Sequence, residues 1–338
     1  MLTNMIRSLS IALALYLGVS FTLIWLPFNG SVPQSGLDFD VLDTTDLNQI
    51  SPAPQIYTSR DGATLSYREF SGSGETVLIL LHGSGTEGRY LSPLADFLQQ
   101  TLNATVLVPD LRGHGFSKLG TPGDLDHLSQ LEHDIEDLLL KSTSEHPNKR
   151  FYLIGHSSGG GLALKVAANQ HPGFAGYVLL APFLGYNAPT IKPVSKHWVN
   201  VHLTRYAGIS MLNRVGIDAL NHKTVMVFGR PLLVEDDLQV SSYSYRMSQA
   251  FSPMNYTAEL QAVDKPLLLL IGQEDEAFVA DAFTTVLDSH APNAQLKVLQ
   301  GIKHLNIVTH ESTYSALEDW LRPHPTKADI DKSPSSTM

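Results

Sequence analysis

The sequence predicts an α/β chain: a mostly parallel central sheet, helices on both faces, and an inserted block over the strand ends. Three observations carry this. Continuous apolar runs alternate with helical stretches over most of the 338 residues, the rhythm of a sheet covered on both sides. A serine framed by glycines, Gly155-His156-Ser157-Ser158-Gly159, falls between one apolar run and the helical stretch after it. The rhythm then breaks near Pro182 and resumes at Leu267.

The N-terminus is a separate object. No charged residue lies between Arg7 and Asp38, and an apolar run extends from about Leu9 to Phe28. A helix of about 20 residues spans about 30 Å, enough for a bilayer core. Arg7 precedes the run and Asp38, Asp40, Asp43 and Asp46 follow it, so the positive-inside bias holds the N-terminus in the cytoplasm and exports the rest. Residues 1–30 are therefore read as a membrane anchor, with a cleaved signal peptide and secretion as the alternative. The rest of the chain would lie on the periplasmic or extracellular side. Residues 31–53, rich in Pro, Ser, Gly and Asp, read as a linker.

The body opens with extended segments Gln55–Ser59 and Thr64–Phe70 flanking Asp61-Gly62, a hairpin signal. Strands follow at Thr76–Leu81, Thr105–Val108, Phe151–Ile154 and Tyr177–Leu180, with helices near Tyr90–Gln100, Leu125–Leu140 and after Ser157. Residues 183–262 show no clean alternation and read as a cap inserted over the strand C-termini, where open sheets of this kind bind ligands. The body resumes with a strand at Leu267–Ile271, a helix near Val279–His290, a strand at Leu296–Leu299 and a last helix over Asn306–Leu321. Residues 54–182 and 263–322 thus form the core, and 323–338 a disordered tail.

Composition narrows the chemistry. The formal net charge is −10 and no basic cluster occurs, so nucleic acid is not an expected partner. There is no cysteine, which excludes disulfides, thiolate metal sites and cysteine nucleophiles. No H-E-x-x-H, Walker A or G-x-G-x-x-G motif stands in the required context, so neither a metal nor a nucleotide cofactor is expected.

Ser157 sits at the apex of a strand-turn-helix, where Gly155 and Gly159 allow the tight turn and the hydroxyl is pushed clear of the sheet edge. A serine hydroxyl is a weak nucleophile until a base takes its proton, and the base needs an orienting acid. The loops after the two late strands supply both: Gly272-Gln273-Glu274-Asp275-Glu276 and Gln300-Gly301-Ile302-Lys303-His304. Asp275, four residues past its strand, is favoured over Glu274, Glu276 and Asp281. His304 is favoured over His290 at a helix end and His310 inside the last helix. The first strand runs into His82-Gly83-Ser84-Gly85, where the Ser84 amide, with the Ser158 amide at the helix N-terminus, would form an oxyanion hole. Trp198, Tyr206, Met211, Leu212, Phe228, Tyr243 and Tyr245 are candidate cap residues for lining the pocket.

From about residue 54 to 322 the chain resembles the α/β-hydrolase superfamily. Within it, the pattern is similar to the monoacylglycerol lipase and lysophospholipase group. The matching pieces are His82-Gly83-Ser84-Gly85 with Gly88-Arg89-Tyr90, Asp110-Leu111-Arg112-Gly113-His114-Gly115-Phe116-Ser117, and Gly155-His156-Ser157-Ser158-Gly159-Gly160. Asp110 and His114 are read as braces of their loop. The chain departs from the group in Thr86, which separates Gly85 from Glu87, and in Ser158, where methionine is common. The resemblance implies an esterase acting on lipid-derived or small acyl esters. Amide or peptide hydrolysis, acyl transfer and C–C cleavage remain open on the same triad, as does an inactive module tethered to a membrane.

Overall fold

The computed structural model describes residues 1–28, 36–38, 44–192, 198–229 and 238–322. The predicted tail 323–338 and residues 31–35 and 39–43 of the predicted linker lie outside the described residues.

An eight-stranded sheet forms the centre. Its strands are β1 (Gln55–Thr58), β2 (Thr64–Phe70), β3 (Thr76–Leu81), β4 (Thr105–Asp110), β5 (Arg150–His156), β6 (Phe174–Leu180) and two late ones. The late strands are numbered β10 (Leu267–Gly272) and β11 (Gln295–Leu299), after three short strands of the inserted block. The spatial order is β1-β2-β4-β3-β5-β6-β10-β11. β2 runs antiparallel to both neighbours, and the strands from β4 to β11 are mutually parallel. The mostly parallel sheet expected from the sequence is therefore what the chain forms. Two strands show why it was legible: all six residues of β10 are buried, and β3 is buried from Val77 onward, so both read as unbroken apolar runs.

Helices cover the sheet. α1 (Leu2–Trp25) and α2 (Thr44–Ile50) precede it. α3 (Ser92–Leu102) pairs with the last helix, α10 (Glu311–Leu321), while α4 (Gln130–Glu145) packs against α5 (Ser158–Ala168). α5 in turn meets α8 (Tyr256–Ala262), which meets α9 (Ala280–His290). α2 was not expected within the linker. Leu47 on it and Leu37 before it are buried in the main core, and Ser51 Oγ lies 2.7 Å from Ser92 Oγ, so this stretch is held by the body.

Residues 183–262 carry β7 (Val199–Val201), β8 (Thr224–Phe228) and β9 (Ser242–Ser244) as a small antiparallel sheet. The block also carries α6 (Leu203–Arg214), α7 (Tyr245–Phe251) and α8. α1 does not stand alone: its C-terminal half runs antiparallel along α6. A Cβ on Gly208 would lie 2.6 Å from the Ser20 carbonyl oxygen and 2.7 Å from Ile24 Cγ1, so only glycine allows this approach. Tyr16 Oη donates to the Met211 carbonyl at 2.9 Å, and Arg205 Nε to the Ile24 carbonyl at 3.2 Å. Ile24, Ile209, Leu212, Val225 and Tyr245 form a second, smaller core there. Among the described residues α1 is the one helix long and apolar enough to cross a membrane.

Candidate active site

Parallel strands deliver their following loops to one edge of the sheet. The loops after β3, β5, β10 and β11 therefore meet, and they hold Ser84, Ser157, Asp275 and His304.

Ser157 caps α5 with φ +56° and ψ −120°, a conformation that side chains rarely adopt. The glycines around it are dictated by contact. A Cβ on Gly155 would sit 2.1 Å from the Gly159 carbonyl oxygen, and one on Gly159 would sit 2.5 Å from the His82 and Leu81 carbonyl oxygens. The turn is thus pressed against both its own helix and the end of β3.

Ser157 Oγ lies 3.0 Å from His304 Nε2, and His304 Nδ1 lies 2.7 Å from Asp275 Oδ2. Since a carboxylate only accepts, Nδ1 carries the proton and Nε2 faces the serine as acceptor. All three side chains are buried. The second oxygen of Asp275 accepts the amides of Ala277 and Phe278, each at 2.8 Å. Burial works to raise the Asp275 pKa, but His304 and these amide donors outweigh it and hold the carboxyl below its ordinary value. The carboxylate is therefore anionic at neutral pH and orients the imidazole.

Among the competing acids, Glu276 accepts the backbone N–H of His304 at 2.8 Å, while Glu274 and Asp281 are exposed. His290 closes α9. His310 is not inside the last helix as predicted. Residues Asn306–Val308 form a short 3-10 turn, and His310 caps α10, its side chain accepting from the Ser312 amide.

Ser84 Oγ donates to Ser158 Oγ at 2.8 Å, which brings together the two residues whose amides were singled out. A Cβ on Gly83 would lie 3.2 Å from Ser157 Cβ, so this loop lies directly against the serine. A narrow cleft opens there, with Ser84, Ser157 and His304 in its wall beside Leu37, Trp198 and Leu305.

The cap residues divide differently from the expectation. Trp198 lines the cleft, and Phe228 stacks on it with ring centroids 4.9 Å apart. Tyr206, Met211, Leu212 and Tyr245 lie at the α1–α6 contact, because the apolar face of α1 claims them. Asp110 and His114 do brace their loops: Asp110 takes Arg68 Nη1 at 3.0 Å and the amides of Gly88 and Phe116. Sequence reasoning assigned no role to Leu37, Tyr90 or His156, all of which line the cleft. Tyr90 stood within the quoted Gly-Arg-Tyr motif and His156 within the serine turn, so both were in view without a function.

The arrangement can do acyl transfer. A neutral imidazole held against a serine hydroxyl can take its proton as the oxygen attacks a carbonyl, and can return it to a leaving group.

The family model described as "Serine aminopeptidase, S33" matches residues 72–311. Over 250 residues the chain is 26% identical to "Monoglyceride lipase" of Rattus norvegicus, covering 71% of this chain and 78% of that one. A soluble variant of monoglyceride lipase from Saccharomyces cerevisiae, crystallised with a substrate analog, superposes with a TM-score of 0.59. It is 19% identical, over 88% of this chain and 98% of that one. Paleococcus ferrophilus monoacylglycerol lipase gives a TM-score of 0.58 at 18% identity, over 76% of this chain and 98% of that one. At these identities the two structures speak for a shared α/β-hydrolase fold.

Proposed function

Because the chain belongs to the serine aminopeptidase S33 family, we propose that it is a serine hydrolase that cleaves carboxylic esters through an acyl-enzyme on Ser157. One observation carries the reading: the unbroken hydrogen-bonded line from Ser157 Oγ through both nitrogens of His304 to Asp275.

In this mechanism Ser157 attacks the ester carbonyl while His304 takes its proton, and Asp275 holds the tautomer and stabilises the imidazolium. The amides of Ser84 and Ser158 receive the oxyanion. His304 then protonates the leaving alcohol, and in the second half it activates water to release the acid. Gly83, Gly155 and Gly159 serve by letting three backbone segments approach. No step calls for a metal or cofactor.

The proposed substrate is a lipid-derived ester of the monoacylglycerol or lysophospholipid kind, or a small acyl ester. The names of the similar lipases and the apolar side chains of Leu37, Trp198 and Leu305 around the serine support this. Residues 183–262 would be the cap that shapes the pocket, inserted between core segments 54–182 and 263–322. α1 would be a membrane anchor, with the catalytic body exported, or a signal segment that is cleaved. The docking of α1 constrains the anchor. Only Ser8–Leu15 separates Arg7 from the contact at Tyr16, and eight helical residues rise about 12 Å against a bilayer core of about 30 Å. A crossing helix must therefore leave α6 or draw α6 toward the headgroups.

A second reading, hydrolysis of aminoacyl amides, is favoured by the family model's own description. The full-length chain should be assayed on p-nitrophenyl esters of increasing acyl length, a monoacylglycerol and an aminoacyl p-nitroanilide. Esters should exceed the anilide in kcat/KM by at least about a hundredfold, a gap of about 2.7 kcal/mol in transition-state stabilisation. The reverse order would favour the aminopeptidase reading.

A further inference from the structure

The loop Gly83-Ser84-Gly85 hangs from two phenols that come from different parts of the chain. The Gly83 amide donates to Tyr90 Oη at 2.7 Å. The Gly85 amide donates to Tyr243 Oη at 2.8 Å. Tyr90 belongs to the core and Tyr243 to β9 of the inserted block.

Each phenol is held by a buried histidine, and the proton positions follow from the partners. His156 Nε2 lies 3.0 Å from the His304 carbonyl, which can only accept, so Nε2 carries the proton. Nδ1 then accepts from Tyr90 Oη at 2.8 Å. His114 repeats the pattern: Nδ1 donates to the Arg112 carbonyl at 3.1 Å, and Nε2 accepts from Tyr243 Oη at 2.6 Å. Each phenol thus gives its one proton to a neutral imidazole and offers a lone pair to a loop amide. Burial keeps both imidazoles neutral, His156 being pushed down to about 3 and His114 well below the ordinary histidine range.

The carbonyls of the loop are also engaged. Gly83 O accepts from His82 Nδ1 at 2.9 Å and from Thr86 Oγ1 at 2.9 Å, and Gly85 O accepts the Val240 amide at 3.1 Å. Between the two tied amides the Ser84 N–H makes no hydrogen bond among the described residues. Ser84 itself lines the cleft that holds Ser157.

We infer that Tyr90 and Tyr243 are positioning residues for the oxyanion hole: by occupying the Gly83 and Gly85 amides they leave Ser84 N–H as the loop's single donor to the reacting carbonyl. The inserted block is then more than a pocket wall, because Tyr243 makes the geometry of the hole depend on it. This rests on the nucleophile and oxyanion roles proposed above. It goes beyond them by naming what sets the donor in place.

The test uses full-length protein and the variants Tyr90→Phe and Tyr243→Phe. Removing an oxyanion donor outright lowers kcat about 10²- to 10³-fold, so loosening one by removing its support should lower kcat roughly tenfold with KM within about twofold. Affinity for a trifluoromethyl ketone, which forms the tetrahedral oxyanion on the serine, should fall by the same factor. Phe251→Leu, which removes a ring packed on both Tyr243 and His114 but no hydrogen bond, should lower the thermal midpoint while sparing kcat and ketone affinity. Wild-type amide exchange gives a readout free of any variant: Gly83 and Gly85 should be protected and Ser84 should exchange fast.

A folded Tyr243→Phe with wild-type kcat and ketone affinity overturns the inference. So does a Phe251→Leu variant that loses as much as Tyr243→Phe, or a protected Ser84 amide. If the wild-type chain neither hydrolyses esters nor reacts with a fluorophosphonate, the proposed function itself has failed. Wild type that does both beside an unaffected Tyr243→Phe condemns the inference alone.

Discussion

His156, the residue immediately before Ser157, donates its Nε2 proton to the backbone carbonyl of His304 at 3.0 Å. Ser157 and His304 are therefore linked twice, once between side chains and once between the serine turn and the histidine's main chain. Glu276 adds a third tie by accepting the His304 amide at 2.8 Å. The imidazole is fixed in position by its backbone and in orientation by Asp275.

Orientation can be removed without removing position. In Asp275→Asn the two amide donors from Ala277 and Phe278 will hold the side-chain oxygen. The NH₂ group then faces His304 and favours the tautomer with its proton on Nε2. We expect kcat to fall roughly 10³- to 10⁴-fold with the fold intact. Steady-state kinetics beside a circular-dichroism melt would check this, and a loss below tenfold would contradict it.

The serine turn should be intolerant of a single methyl group. Gly155→Ala would press a Cβ into the Gly159 carbonyl, with backbone on both sides of the clash. We expect destabilisation of about 3 kcal/mol or more. Gly18→Ala, with open space around it in α1, should be neutral or stabilising by up to about 1 kcal/mol. Urea denaturation of the two variants would show whether the contrast holds.

These results also indicate what could be read in advance. β3 and β10 were legible because burial on both faces leaves an unbroken apolar signature. Ser157 was legible because its turn demands glycines, and the regions of Asp275 and His304 because parallel strands share one edge. Which carboxylate meets His304 was less so: Asp275 differs from Glu274 and Asp281 by burial and by two amide donors, properties of the folded loop. The inserted block was opaque because β7 and β9 have three residues each, too few to show alternation. Tyr206 and Tyr245 looked like pocket residues because their partner, α1, lies about 180 and about 220 positions away in the chain.

Buried neutral histidines should make the fold acid-sensitive. Burial pushes His156 down to about 3 and His82 down to about 4, and it holds His114 well below its ordinary value. The unfolded chain binds protons at these positions near pH 6.5, so it gains protons first as pH falls and the folded state loses ground. The contribution is fully present above about pH 6.5 and is lost toward the folded values. From pH 6.5 to 4.5 each such histidine should remove up to about 2–3 kcal/mol. Denaturant midpoints at pH 7, 6 and 5 should fall in order, and a flat series would contradict the assignment.

The α1–α6 contact should be separable from chemistry. Gly208→Leu would drive a side chain into the Ser20 carbonyl and Ile24. Hydrogen exchange over residues 203–214 should rise, while kcat for a short, water-soluble ester stays within about twofold, since none of these residues lines the cleft. Unchanged exchange would mean that α1 remains seated.

The central claim is that Ser157 is the nucleophile. Full-length wild type and Ser157→Ala should be incubated with a fluorophosphonate probe and digested, and the modified peptide identified by mass spectrometry. The account predicts one adduct, on Ser157, and loss of both labelling and ester hydrolysis in the variant. Labelling or turnover that survives in a folded Ser157→Ala would contradict it.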